Sequence, residues 1–172
     1  LVWYFNIALK RDLESLVSTQ QFSAVSVIAA SIDRQIRLRL RALEDLAQVF
    51  GERHLVYQSG QANAFLHDNL TLSPLFNGGF FVLDAQGVCI AEVPHIPGRI
   101  GLNFTQYDEF TPLLNQRAPV VGTPRIGKLS KRPLVALNAP IIDSTQQQMV
   151  GLLIGVTYLD VENYIGQLIA TY

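Results

Sequence analysis

Gly79-Phe-Phe-Val-Leu-Asp84, the turn Ala85-Gln86-Gly87 and Val88-Cys-Ile-Ala-Glu-Val93 read as a β-hairpin, two apolar runs of strand-forming residues joined through Asp and Gly. A long excursion from Pro94 to Arg117 follows. Three further strand-like runs come after it: PVVGTPRIG (119–127), RPLVALNAPIID (132–143) and MVGLLIGVTYLD (149–160). Together these predict a five-stranded antiparallel sheet with one covered face, the excursion forming a loop-and-helix cover. A layer of that kind is suited to holding a small molecule. The tract Gln146-Gln147-Gln148 is the polar tip of the hairpin between the last two strands.

Ahead of the sheet, Ile7 to Phe50 contains no Pro or Gly and predicts a long helix. Ala29, Ile32, Ile36, Leu40, Leu43, Ala47 and Phe50 step by three and four onto one stripe, and Gly51 is positioned as its C-terminal stop. Asp33, Arg34, Arg37, Arg39, Arg41, Glu44 and Asp45 occupy the other side as a solvated face, with Arg41 and Asp45 at i,i+4 spacing. Nearer the N-terminus, Leu9, Leu13, Leu16 and Val17 form a second stripe with no evident intrachain partner, which predicts pairing with a second copy. A helix over Ala62 to Leu70 and a turn at Ser73-Pro74 are expected next, with Phe65, Leu66, Leu70, Leu72, Leu75 and Phe76 packed beneath the sheet.

The 172 residues suffice for a sizeable core, and 49% hydrophobic with 16% charged residues describes a globular chain. Thirteen Lys and Arg against 14 Asp and Glu leave a net charge of −1, without the basic face that nucleic acid requires. Cys89 stands alone between Val88 and Ile90 and reads as a small buried hydrophobe rather than a nucleophile. His54, His67 and His95 have no metal-ligand spacing, and no nucleophile elbow, phosphate-cradling loop or dinucleotide fingerprint occurs. Asp84, Asp143 and Asp160 fall at strand ends, where turns recruit Asp. Neither catalysis nor a cofactor is expected. The opening LVWYFNIAL is far shorter than the roughly 20 residues of a bilayer span. It fits either the closing turns of a transmembrane helix or an apolar helix end that packs on its own domain.

The order and punctuation of these elements resemble the Cache family of PAS-like bacterial sensor domains. The resemblance rests on the VLDAQG hairpin, the segment Gly101-Leu-Asn-Phe-Thr-Gln-Tyr-Asp-Glu-Phe110, the strand entry at Arg132-Pro133, the exit at Ala139-Pro140-Ile141, and Gly151-Leu-Leu-Ile-Gly-Val156. It covers about half of the chain directly. It implies an α+β fold in which residues 1–50 form a signalling and dimerisation helix, 51–160 the sensor module, and 161–172 an exit helix toward a downstream module. It further implies an extracytoplasmic sensor of a small polar or anionic molecule, facing the periplasm of a bacterium. The full-length receptor would be anchored in the inner membrane as a homodimer, with a diguanylate cyclase or histidine kinase as output. The helix and the exit GVTYLDVENYI look most similar to the membrane-distal half of double-Cache sensors. A ligand-free dimerisation module and a cytoplasmic PAS-type cofactor domain are the alternatives.

In this family the pocket lies between sheet and cover, so the implied ligand-binding residues are Phe104, Thr105, Tyr107, Glu109, Phe110, Arg125, Asn138, Thr157 and Tyr158. Thr105 with Asp108 three residues on has capping-box character, predicting a helix start near Gln106 whose N–H groups suit an anion. Tyr107 and Glu109 stand where amino-acid-binding members carry Arg and an aromatic residue, and Thr157 or Tyr158 near their acidic residue. A zwitterion's two charges would therefore lack partners at the matching positions, which weighs against an amino-acid ligand. Arg125 is the cation expected to face the pocket if its strand is so oriented. Lys128, Lys131 and Arg132 are expected in a solvated turn.

Overall fold

The structure is a computed structural model that describes residues 2–69, 74–107, 110, 112–115 and 117–161, with side chains from residue 25 onward other than residue 114. Two helices, α1 (Val2–Glu52) and α2 (Ser59–Asp68), precede six strands: β1 (Gly79–Asp84), β2 (Cys89–Val93), β3 (Val120–Val121), β4 (Arg125–Ile126), β5 (Pro133–Ile142) and β6 (Met149–Tyr158). One compact unit runs from Arg37 to Asn163, and the helical residues up to Ile36 belong to a second. The expected exit helix after Asp160 and the side chains of Leu9, Leu13, Leu16 and Val17 lie outside the described residues, as do Leu70 and Leu72. Among the described residues no helix is long and apolar enough to cross a membrane.

The strands form one antiparallel sheet in the order β2-β1-β6-β5-β3, with β4 also on β5. The run read from sequence as one strand, PVVGTPRIG, is two short strands. Gly122-Thr123-Pro124 separates them, and Pro124 has no N–H to give to the ladder. Both pieces pair along β5, Val120 opposite Asn138 and Arg125 opposite Leu134.

The sheet is covered on both faces, not one. On the first face Leu43, Ala47 and Phe50 of α1 and Ala62 and Leu66 of α2 pack on Phe80 and Val82 of β1, Leu137, Ala139 and Ile141 of β5 and Leu153 of β6. The alternate side chains, Phe81, Leu83, Ala136, Leu152, Ile154, Val156 and Tyr158, face the excursion and its Phe104, Phe110 and Leu113. This double burial explains why β6 reads as an almost unbroken apolar run instead of alternating. Gly155 lies in β6 where a Cβ would fall 2.5 Å from the ring of Phe76, so that position must be bare.

Gly51 is not the helix stop expected of it, because α1 continues through it to Glu52. A Cβ at Gly51 would lie 1.9 Å from the carbonyl oxygen of Ile142 in β5. Glycine is needed there for backbone approach, not for termination. Arg39, expected on the solvated face, donates from Nε to the carbonyl of Leu75 at 2.8 Å. At the β5–β6 turn the carboxylate of Asp143 accepts from Thr145 N–H and Gln146 N–H at 2.8 and 3.0 Å and lies 3.3 Å from His54 Nδ1. The far ends of the same two strands are joined by Arg132, whose guanidinium donates to both oxygens of Asp160 at 2.9 and 2.8 Å and covers the ring of Tyr158 at 4.0 Å.

Candidate functional site

Between the second face of the sheet and the excursion lies a cavity of about 60 Å³. Since a water needs about 10–15 Å³ on this scale, it offers room for roughly four to six water-sized positions, the size of a small organic molecule. Its floor is Phe81 of β1, Leu134 and Ala136 of β5, and Val156 and Tyr158 of β6. Ile96, Arg99, Leu102, Phe104, Tyr107 and Phe110 form the roof, and Arg125 with Gly127–Ser130 closes a side.

Strand alternation sets the floor: Leu134 and Ala136 point to the cavity while Leu137 and Ala139 point to the helices. The roof is fixed by aromatic contacts. Phe104 stacks on Phe81 with ring centres 5.1 Å apart and meets Phe110 and Tyr107 edge-on at 5.0 and 5.9 Å. A one-turn 3-10 helix, Phe104–Gln106, delivers Phe104 to this cluster. Its cap is Asn103, not Thr105. Asn103 Oδ1 accepts from Thr105 N–H at 2.8 Å and from the Thr105 hydroxyl at 2.6 Å. Asn outcompetes Thr here because its carbonyl reaches the N–H two residues on in an Asx turn. One turn of 3-10 helix supplies no aligned set of N–H groups, so the anion site expected at a helix start near Gln106 is not formed.

Of the residues expected to bind ligand, the structure brings Phe104, Tyr107, Phe110, Arg125 and Tyr158 to the cavity wall. Thr105 is half-buried beside its cap and is not part of the wall, and Glu109 lies outside the described residues. Asn138 is buried with its Nδ2 3.4 Å from the carbonyl of Val120 and is not part of the wall. Thr157 alternates with Tyr158 and so faces the helix side of the sheet, opposite Val135.

Arg99 is the wall residue that sequence reasoning missed. It is 4% exposed, its Nε lies 2.6 Å from Glu92 Oε2, its Nη2 donates to the carbonyl of Pro94 at 3.2 Å, and its guanidinium lies 4.9 Å from the centre of the Phe81 ring. Glu92 is buried as well, and its other oxygen shares a hydrogen bond with His95 Nδ1 and accepts from Ile96 N–H at 3.0 Å. The available signal was a single Arg inside the apolar, glycine-bounded run Ile96-Pro-Gly-Arg-Ile-Gly101. Lys128, expected in a solvated turn, is exposed but also lines the cavity, its Nζ 5.3 Å from the centre of the Tyr107 ring. Arg125 lies over Phe110 at 4.8 Å. The described wall thus carries three cationic side chains and no acidic one.

Cys89 is buried on the same face, and burial pushes its thiol up to about 12. Among the described residues no group of three or more His, Cys, Asp or Glu is placed to hold a metal ion.

No protein-family model and no curated protein matches the sequence. Solved structures do. An extracellular ligand binding receptor from Desulfohalobium retbaense aligns with a TM-score of 0.69 at 18% identity, over 86% of this chain and 26% of that one. The sensor domain of the V. cholerae histidine kinase DctB aligns with a TM-score of 0.67 at 15% identity, over 90% and 59%. The ligand-binding domain of the Pseudomonas fluorescens chemoreceptor CtaA, in complex with L-serine, aligns with a TM-score of 0.61 at 17% identity, over 78% and 56%. The chain spans 26 to 59% of the length of these solved chains. At such identities the likeness is one of fold.

Proposed function

We propose that this chain, which has the fold of Cache-type extracellular sensor domains, is the ligand-sensing domain of a bacterial membrane-bound signalling receptor. The observation that carries this reading is the cavity between sheet and roof, small, aromatic and lined on its described wall by Arg99, Arg125 and Lys128 without an acid. Such a wall suits a small polar or anionic guest. The cations supply charge-assisted hydrogen bonds, and the rings exclude the water that would weaken them.

The ligand's role is signalling, and the output resides in another part of the receptor. The domain faces the extracytoplasmic side, with α1 as the connection toward the membrane and as the dimer element. Of the expected site residues, Phe104, Tyr107, Phe110, Arg125 and Tyr158 contact the ligand in this reading, joined by Arg99 and Lys128. Amino acids fit less well. The CtaA structure holds L-serine, yet an ammonium group in the present cavity meets no carboxylate on the described wall.

A thermal-shift screen of organic acids, amines and amino acids tests the reading. A ligand at 100 times its Kd adds about 2.7 kcal/mol, which for a domain of this size raises Tm by about 5–10 °C. At least one acid is expected to produce such a shift. A flat response across all classes would favour a ligand-free dimerisation module instead.

A further inference from the structure

We infer that Ala136 sets the depth of the cavity and that the ligand is two-ended, a short alkyl group lying on the floor at Ala136 while its polar group meets the roof and side. This deepens the sensor reading and rests on it. The three cationic wall residues, Arg99, Arg125 and Lys128, all belong to the roof or the side. The floor side chains are hydrocarbon apart from the Tyr158 hydroxyl. A polar group laid against such a surface gives up its water without gaining a hydrogen bond, whereas an alkyl group gains by leaving water.

Every floor side chain but one is large and already packed. Phe81 has Phe104 stacked on it and the Arg99 guanidinium 4.9 Å from its ring centre. Arg132 covers the Tyr158 ring at 4.0 Å. Leu134 Cδ2 rests against Gly127 and Val156 Cγ1 against Gly78, where a Cβ on the glycine would fall 2.8 and 2.5 Å from them.

Ala136 is the exception, since its side chain ends at Cβ. Val156 stands opposite it in register on β6. On its other side Gly122, whose N–H donates to the Ala136 carbonyl at 2.7 Å, presents no side chain at all. The floor therefore dips at Ala136, and the dip is hydrocarbon. A cavity of about 60 Å³, with roughly four to six water-sized positions, leaves room for an alkyl end of about two to four carbons once the polar group is seated. One methylene more or less in an apolar pocket changes binding about tenfold or more, so a single methyl at position 136 is enough to decide chain length.

The experiment is calorimetric titration of the 172-residue chain with straight-chain carboxylates from acetate to hexanoate, the alcohols from ethanol to 1-hexanol and the amines from ethylamine to hexylamine. Succinate, 1,4-butanediol and 1,4-diaminobutane are the matching compounds polar at both ends. The titrations are repeated on Ala136→Val, which fills the dip, and Ala136→Gly, which deepens it, with circular dichroism to verify the fold. At least one series should bind, with affinity peaking at an intermediate length, and its butyl member should bind at least about tenfold more tightly than the counterpart polar at both ends. Ala136→Val should move the peak to a shorter chain and Ala136→Gly to a longer one, opposite shifts that a general loosening of the sheet would not produce. Either variant decides alone where the other does not fold. An unmoved peak overturns the role of Ala136, and equal or tighter binding of the compound polar at both ends overturns the alkyl end; both results leave the sensor reading intact, because a guest has bound. Silence from all the compounds overturns the inference, and the sensor reading then stands or falls on the wider thermal-shift screen.

Discussion

Asp143 is 2% exposed, yet its carboxylate is held well below its ordinary range, from 3.8 to about 2. The hydroxyl of Thr145 is the largest cause, joined by the N–H groups of Gln146 and Thr145, all of which favour the ionised form, with His54 adding a smaller effect. Because the folded-state value is depressed, the stabilisation is fully present above the unfolded value near 4 and is lost as pH falls toward 2. Asp143→Asn should therefore be less stable than the parent at neutral pH, with the gap closing as pH falls below about 4. Urea midpoints at several pH values measure this, and a gap independent of pH would remove the linkage. Cys89 gives a second prediction at this scale. With its thiol pushed up to about 12 by burial, it should resist a disulfide reagent in mildly alkaline buffer and react on denaturation. Prompt labelling of the native protein would contradict the burial. The candidate site was legible in part: the aromatic segment Phe104 to Phe110 and Arg125 were visible as residue types in a suggestive order. Arg99 was not, because nothing in the local sequence tells that its partner is Glu92, seven residues back across a folded loop. Thr157 and Tyr158 were not separable either, since period-2 alternation gives two faces but not which of them carries the cavity.

The last turn of α1 puts two opposing effects on one residue. Alanine is about 1 kcal/mol better than glycine in a helix interior, so propensity alone says that Gly51→Ala stabilises. The Cβ, however, would lie 1.9 Å from the Ile142 carbonyl oxygen, a backbone atom that cannot swing aside, and overpacking of this sort costs about 1–3 kcal/mol or more. The clash should win, leaving Gly51→Ala destabilised in a denaturant titration; equal or greater stability would mean that helix and strand are not this close. The same residue marks a limit of sequence reading. Glycine after an amphipathic stripe signals a helix end, and close approach to another element leaves the same letter. The elements themselves were legible because each rests on local pattern: the α1 periodicity, the hairpin around Asp84 and Gly87, and the apolar runs of β5 and β6. The split of β3 from β4 was not, since it depends on which strand pairs where, whereas the layer beneath the sheet was visible in part, in Phe65, Leu66, Leu75 and Phe76.

Across the whole molecule, the open matter is what the N-terminal part of α1 does, since among the described residues the core of the Arg37–Asn163 unit is assembled from Leu40 onward. Leu9, Leu13, Leu16 and Val17 recur at helical spacing in the sequence. An apolar stripe on a helix gains most of its stability by being buried against another element. A second copy of α1 in parallel is the partner that symmetry offers most directly, because like stripes then meet in register. Deleting residues 1–20 should accordingly leave the sheet unit folded, as the deleted segment lies outside the compact unit Arg37–Asn163, while lowering self-association. Sedimentation of the full chain and the shortened one at equal concentration, with circular dichroism to verify the fold, measures both halves of the prediction. In the membrane-attached receptor proposed above the helices would meet at a higher effective concentration, so the association of the free chain is expected to be weak and is best read as a difference between the two proteins. Equal association with and without the segment would contradict pairing through the N-terminal part of α1 and take that part out of the proposed signalling route.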